Sequence, residues 1–432
     1  MADMTLEIGL MQRFRERGLK WVLAPGALVI LYLFFGLFGR NYFSYPTLVN
    51  IIDAAYYIGF ISMGVTFVII NGGIDLSIGT VMMCAAIIGG TALKHGFPMI
   101  PSLLLVIAVG VAFGFINGLL VSRLKMPPFI VTLGTMMISM GFGSIVANVQ
   151  SATFPIRGQP GGWFKDIFLY LGASGAAIPT GALLLAAVAV ICHLTLSNTK
   201  LGRYTYAIGS NLEAARLSGV DVKKWQTLVY VIAGGTAGIG GISYAAIYTT
   251  VLPAQGQGFE LNAIAAAVIG GTSLAGGIGT IWGTIIGVFI MSVLATGLPA
   301  LNLEAHYQTF FTGVIVIGAV LLDMYRIRKA AEVRIETPAD AYKASMVEKI
   351  ADMKRELASI RAGGGDGQHA AGILAQIATA RNEMKATFAK MKAQEKAEQA
   401  RIRTEEKAAD HDFAEMVKHK EIAQQEETER HA

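Results

Sequence analysis

The chain has 432 residues, 53% of them hydrophobic and 15% charged, where an ordinary soluble domain carries about 25% charge. Residues 330–432 hold 17 of the 35 Lys and Arg and 19 of the 30 Asp and Glu, so residues 1–329 read as a membrane domain and the remainder as a charged appendix. A cytosolic enzyme and a secreted disulfide scaffold are both excluded as descriptions of the whole, and the net charge of +5 is no argument for nucleic acid.

Arg13, Arg15, Arg17 and Lys20 precede the first apolar run, but no small-residue cleavage site follows it. That run is expected to stay as an anchor rather than be removed as a leader. A helix needs about 20 mostly apolar residues to cross the hydrocarbon core. Ten segments approach this: 21–38, 51–70, 76–93, 100–121, 129–149, 178–196, 227–247, 261–274, 278–298 and 307–322. The expected fold is all-α: a polytopic transmembrane bundle of about ten spans with broken helices, followed by a helical or coiled-coil tail. The expected divisions are 1–20 (cytoplasmic), 21–325 (transmembrane bundle) and 326–432 (charged cytoplasmic tail).

Basic residues concentrate on the cytoplasmic side of membrane proteins. With both ends of the bundle placed inside, fourteen Lys and Arg fall on the inner side, against Arg40, Lys94, Arg157 and Lys165 on the outer. The bias supports ten spans and explains the excess positive charge without an anionic partner. Cys84 and Cys192 lie in apolar runs and read as buried small hydrophobes, neither a disulfide nor a metal pair. Paired glycines recur, and Gly279, Gly283 and Gly287 repeat every fourth residue, a spacing that lets helix backbones approach closely in lipid. Residues 87–93 (IIGGTAL) echo 268–274 (VIGGTSL) on helices expected to run in opposite directions, as an inverted repeat would.

Three polar interruptions are the candidate sites. Asn71-Gly72-Gly73-Ile74-Asp75-Leu76-Ser77-Ile78-Gly79 breaks an apolar stretch. Asp75 is placed to cap the helix that follows, and a carboxylate at membrane depth is a functional candidate by default. Asn71, Asp75 and Ser77 are therefore candidates for the translocation path or its gate. Gln255-Gly256-Gln257-Gly258-Phe259-Glu260-Leu261-Asn262 is a polar segment entering a helix, with Glu260 a cap or a gate contact and Asn262 beside it. The inner connection 209–220 holds Asn211, Glu213, Ala214, Ala215, Arg216 and Gly219. Asn211 can cap a short helix there and Gly219 can end it. A short amphipathic helix outside the bilayer suits docking onto a soluble motor, or lying on lipid.

Glu213-Ala214-Ala215 followed by Gly219 resembles the EAA-x-x-x-G coupling loop of ATP-binding-cassette importer permeases. Gly72-Gly73-Ile74-Asp75-Leu76-Ser77-Ile78-Gly79 resembles a block of the ribose/xylose/galactose type of that family. Residues 260–274 and 276–280 resemble its late glycine-rich signature, with Asn262 where the family often has aspartate and Ile78 where it often has valine. The resemblance covers about residues 20–325. It implies a permease of the bacterial inner membrane that moves a sugar or sugar-like solute inward. It implies three partners: an ATPase subunit that binds ATP and Mg, an external sugar-binding protein, and a second permease copy or paralogue. This chain has no G-x-x-x-x-G-K-[ST] phosphate loop, so ATP and Mg are expected on the partner and no cofactor on this chain. Two other readings stay open: an ion-coupled secondary transporter using Asp75 or Glu260, and a membrane scaffold built around the tail.

The tail lies beyond the resemblance. Met346, Ile350, Met353, Leu357 and Ile360 form a heptad seam, Gly363-Gly364-Gly365-Asp366-Gly367 interrupts it, and Ile373, Ile377, Met384 and Met391 continue at helical spacing. Helix is expected over 340–361 and 370–400, either self-associating or serving as a docking element.

Overall fold

A computed structural model describes residues 24–172, 175–331, 338–362, 372–395, 397, 398 and 401. The basic N-terminal stretch, the glycine run at 363–367 and the charge-rich end of the tail lie outside them. The described residues divide into two compact units, the bundle within Leu10–Lys329 and the segment from Ala330 onward.

Each of the ten apolar segments contains a helix. Seven are long and apolar enough to cross a membrane: α2 (Tyr45–Ile70), α4 (Met99–Ser122), α5 (Pro128–Val146), α6 (Gly181–Asn198), α9 (Val222–Tyr248), α11 (Ile281–Ala300) and α12 (Ala305–Ala331), the last through its stretch His306–Tyr325. Three are shorter: α1 (Ala24–Phe38), α3 (Ile78–Lys94) and α10 (Phe259–Ile269). The segment expected as a span over 261–274 yields only 11 helical residues, a rise of about 16 Å. Gly270 and Gly271 stop it, Gly271 at φ +95°, because the backbone turns there beneath α11. A side chain at Gly270 would collide with the Gly283 carbonyl.

Burial sorts the helices. The most apolar window of α2 is 94% buried and that of α6 only 28%, so α2 is the central helix and α6 a peripheral one. Close backbone approach fixes the helix pairs, and Gly64 of α2 lies against the Ala233 backbone of α9. Gly110, Gly114 and Gly118 on α4 sit against Gly234, Tyr230 and Thr227 of α9 with no room for a Cβ. The four-residue glycine series works the same way, Gly283 and Gly287 lying against the carbonyls of Gly270 and Ala266.

The two ends of the bundle differ. One end carries the connection from α5 to α6, with β1 (Ala152–Thr153) paired antiparallel to β4 (Thr250–Val251) and β2 (Tyr170–Leu171) to β3 (Ala177–Ile178). Arg157 pairs with Asp166 at 2.7 Å and donates to the Leu169 carbonyl, which ties this connection shut. Lys165 donates to Thr249 Oγ1; burial first, and the Arg157 charge second, lower it below the ordinary lysine range. The opposite end carries α7 (Lys200–Ser210) and α8 (Leu212–Leu217).

The second unit contains α13 (Pro338–Ala362) and a helix over 372–395. All five seam residues pack with Ile373, Ile377, Ala380 and Met384. Ala339 N–H donates to Glu395 Oε1 at 3.0 Å and Lys343 covers the Phe388 ring, so the two helices run antiparallel. The seam finds its partner within the same chain.

Candidate functional site

At the end of α2, Gly72 takes φ +83° and turns the chain. Three residues on, Asp75 Oδ1 accepts the Ser77 backbone N–H at 2.9 Å and the Ser77 hydroxyl at 2.7 Å. This is a turn closed by a side chain that mimics a carbonyl, and α3 begins at the next residue. Asn117 of α4 donates to Ser77 Oγ at 2.9 Å, and Thr135 of α5 donates to Asn117 Oδ1 at 2.6 Å. All four residues are buried. Asp75 and Ser77 thus hold the break in place and anchor it to two neighbouring helices. Asn71, also buried, leaves its Nδ2 without a partner among the described residues. Asn117→Ala removes two links of this chain. It is expected to lower stability by about 1–3 kcal/mol, read as a fall in the unfolding midpoint in detergent; an unchanged midpoint would take the network out of the account.

The second interruption meets the first. Gly258 takes φ +96° at the start of α10, and both Glu260 carboxylate oxygens accept its N–H, at 2.9 and 3.0 Å. A Cβ on Gly79, in the first turn of α3, would stand 2.6 Å from the Gly256 carbonyl and 2.9 Å from Glu260 Oε2. The starts of α3 and α10 therefore lie side by side within the bundle. The Glu260 carboxylate serves both helix N-termini, where negative charge is stabilising. Asn262 is half-buried on α10, and its side chain makes no hydrogen bond among the described residues.

The third interruption folds as its sequence requires. Asn211 Oδ1 accepts the Ala214 N–H at 2.9 Å and opens α8. Gly219 at φ +82° closes it, with the Val220 N–H returning to the Ala215 carbonyl. Ala215 faces inward, Glu213 and Arg216 pair at 2.7 Å on the surface, and Leu212 and Leu217 are exposed, Leu217 at 81%.

The structure also brings this element to the other two. Gly209, at the end of α7, lies against the Ile70 carbonyl and within 3.8 Å of where a Cβ on Gly72 would stand. Gly277 N–H donates to Ile70 O at 2.8 Å, and a Cβ on Gly276 would meet Gly209 O at 2.6 Å. Tyr206 of α7 donates to Gly279 O at 2.6 Å. The tip at Gly209 and Ser210 is thus seated between the α2–α3 break and the 270–280 connection.

Sequence reasoning passed over several residues here. Asp323 on α12 accepts the Ser273 hydroxyl at 3.1 Å and the Leu274 N–H at 3.0 Å, holding the 270–280 connection; it lies one residue beyond the expected last span. Asn117 carried a usable signal as the one amide in an apolar run. Gly209 carried none. Among the described residues, no group of three or more His, Cys, Asp or Glu is placed to hold a metal ion.

A family model described as a branched-chain amino acid transport system / permease component matches residues 47–320. The ribose import permease protein RbsC of Escherichia coli (strain K12) is 34% identical over 299 residues, covering 69% of this chain and 91% of that protein. The fructose import permease protein FrcC of Rhizobium meliloti is 34% identical, covering 70% and 85% respectively. The autoinducer 2 import system permease protein LsrC of Yersinia pseudotuberculosis (serotype O:1b, strain IP 31758) is 33% identical, covering 71% and 85%. No solved structure matches.

Proposed function

The chain belongs to the permease family of ATP-binding-cassette importers, and from that membership we propose that it forms the inward pathway for a sugar or sugar-like solute. It is a permease subunit and a multi-pass inner membrane protein. Ribose, fructose and autoinducer 2 in the names of its relatives support the solute class. An external binding protein delivers the solute, a separate ATPase subunit supplies the energy with its own ATP and Mg, and a second permease copy or paralogue completes the pathway. Both ends of the bundle face the cytoplasm, a topology the basic-residue bias supports. The chain then makes ten passes, with α3 and α10 extended by the irregular segments that precede them.

In this reading α8 is the coupling helix. Its exposed Leu212 and Leu217 enter the ATPase, while Asn211, Glu213, Ala214, Ala215, Arg216 and Gly219 set its shape. One observation carries the reading: the tip joining α7 to α8 touches both the α2–α3 break and the 270–280 connection. Movement of α8 therefore reaches the starts of α3 and the end of α10 without any intervening flexible segment. Asp75, Ser77 and Glu260 keep the breaks in shape as the gate moves. Asn71 and Asn262, which have polar groups to spare, touch the solute.

Glu213→Ala is expected to lower solute moved per ATP hydrolysed by about tenfold, the size of an ordinary coupling free energy, with membrane insertion unchanged. Transport and hydrolysis measured together in reconstituted vesicles check this. Unchanged coupling in both Glu213→Ala and Gly219→Val removes α8 from the mechanism.

A further inference from the structure

We propose that Asp53, Tyr57, Tyr244, Tyr248, Gln255 and Phe259 form a carbohydrate-binding subsite midway along the bundle. The proposal rests on the import reading above and locates where this chain itself holds the solute. Tyr57 stands 12 residues into α2, about 18 Å from its start. Its ring lies 5.6 Å from Tyr244, 6.1 Å from Tyr248 and 5.5 Å from Phe259, and Tyr244 and Tyr248 are 4.5 Å apart. Four rings from α2, the end of α9 and the start of α10 thus converge. The group reaches the surface through Tyr248, which is 49% exposed.

Two polar atoms flank these rings. Asp53 lies one turn before Tyr57 on α2, and Gln255 lies in the connection that enters α10 at Phe259. Asp53 Oδ1 and Gln255 Oε1 are buried without a hydrogen-bond partner among the described residues. Leaving a buried acceptor unpaired is costly, and ligand hydroxyls can supply a donor to each. Both are acceptors, which selects hydroxyl or ammonium hydrogens. Tyr248, the exposed ring of the four, offers a flat apolar face to C–H groups. Hydroxyls on one edge and C–H groups on the face are the two surfaces of a sugar ring.

The backbone supports the location. Residues 252–258 carry no helix, with Ala254, Gly256 and Gly258 at positive φ, and they reach α3 at Gly79 and Thr80. Irregular backbone at membrane depth is tolerated where it is buried in protein or lines a polar cavity, and broken helices at mid-depth are where transporters bind their solutes.

The test is saturation-transfer NMR on the full chain purified in detergent, with D-ribose, D-fructose and myo-inositol as probes and choline as the cationic competitor. The expected result is saturable transfer to ring C–H protons from at least one probe. Tyr248→Ala and Gln255→Ala are expected to raise the half-saturating concentration about tenfold. Asp53→Asn, which keeps an acceptor, is expected to change it less than about threefold. Tyr248 is half-exposed, so its loss leaves the core intact. No saturable transfer from any probe overturns the subsite, as does transfer unaltered by both Tyr248→Ala and Gln255→Ala. Choline binding that displaces the sugars and vanishes in Asp53→Asn overturns it in favour of a cation. A negative result beside intact Glu213-dependent coupling removes the subsite alone. A Tyr248-dependent signal beside coupling indifferent to Glu213 removes the coupling reading alone.

Discussion

Gly209→Ala is expected to abolish transport while the chain still inserts in the membrane. The added methyl group would occupy the space of the Ile70 carbonyl oxygen and stand 2.7 Å from the Gly277 nitrogen. Neither neighbour is a flexible side chain, so the backbone must separate. Overpacking of this kind costs about 1–3 kcal/mol, a modest fraction of the stability of so large a bundle. The functional cost is larger, because the displaced contact is the one that joins α7 and α8 to both breaks. ATP hydrolysis by the assembled complex is expected to continue without import. Gly235→Ala is the control: its Cβ would meet only the Val111 side chain, at 3.5 Å, and import should persist. Import at the unsubstituted rate in Gly209→Ala would show that the tip does not transmit movement.

Asp75→Ala and Asp75→Asn are expected to part company. Alanine leaves the buried Ser77 N–H without an acceptor and frees the Ser77 hydroxyl from the turn. Each lost partner costs about 1–3 kcal/mol, so a clear fall in the unfolding midpoint and in import follows. Asparagine keeps an oxygen at the same position and should retain most of both. Solute preference should be the same in all three proteins, since a residue that closes a turn acts on shape. Unfolding midpoints and competition uptake with ribose and fructose check both points. A changed preference in Asp75→Asn moves Asp75 from the frame of the break into the path. Import that follows an ion gradient, and loses that dependence in Asp75→Asn, makes it a coupling carboxylate.

What the sequence disclosed follows from which forces leave a local pattern. Apolar runs mark where lipid or protein replaces water, so a helix was found in each of the ten segments. They do not mark where a helix stops inside an apolar run, and α10 ends at Ile269 although Thr272–Leu274 remain compatible with burial. The stop depends on Gly271 and on the Gly283 carbonyl, 12 residues away in sequence. Asn211 and Gly219 were legible because capping is a property of a few adjacent residues. Asp75 was read as a cap and does close a turn, one residue short of the helix, through Ser77. The links from Ser77 to Asn117 and Thr135, and from Asp323 to Ser273, join different helices and leave no local trace. Asp53 shared the signal that singled out Asp75, a carboxylate in an apolar run, and was passed over because no glycine break adjoins it. In the tail the seam was visible but not its partner; the second helix, at 372–395, supplies it.

Site-specific photocrosslinking from Leu217, carried out in native membranes, tests the central claim most directly. Leu217 is 81% exposed on α8 and makes no part of the bundle core. The account predicts one dominant protein adduct, a soluble ATPase, that is lost when the crosslinker is moved to Leu183 on α6, which is 77% exposed. Lipid adducts alone from Leu217, in membranes where the complex still imports, would contradict it.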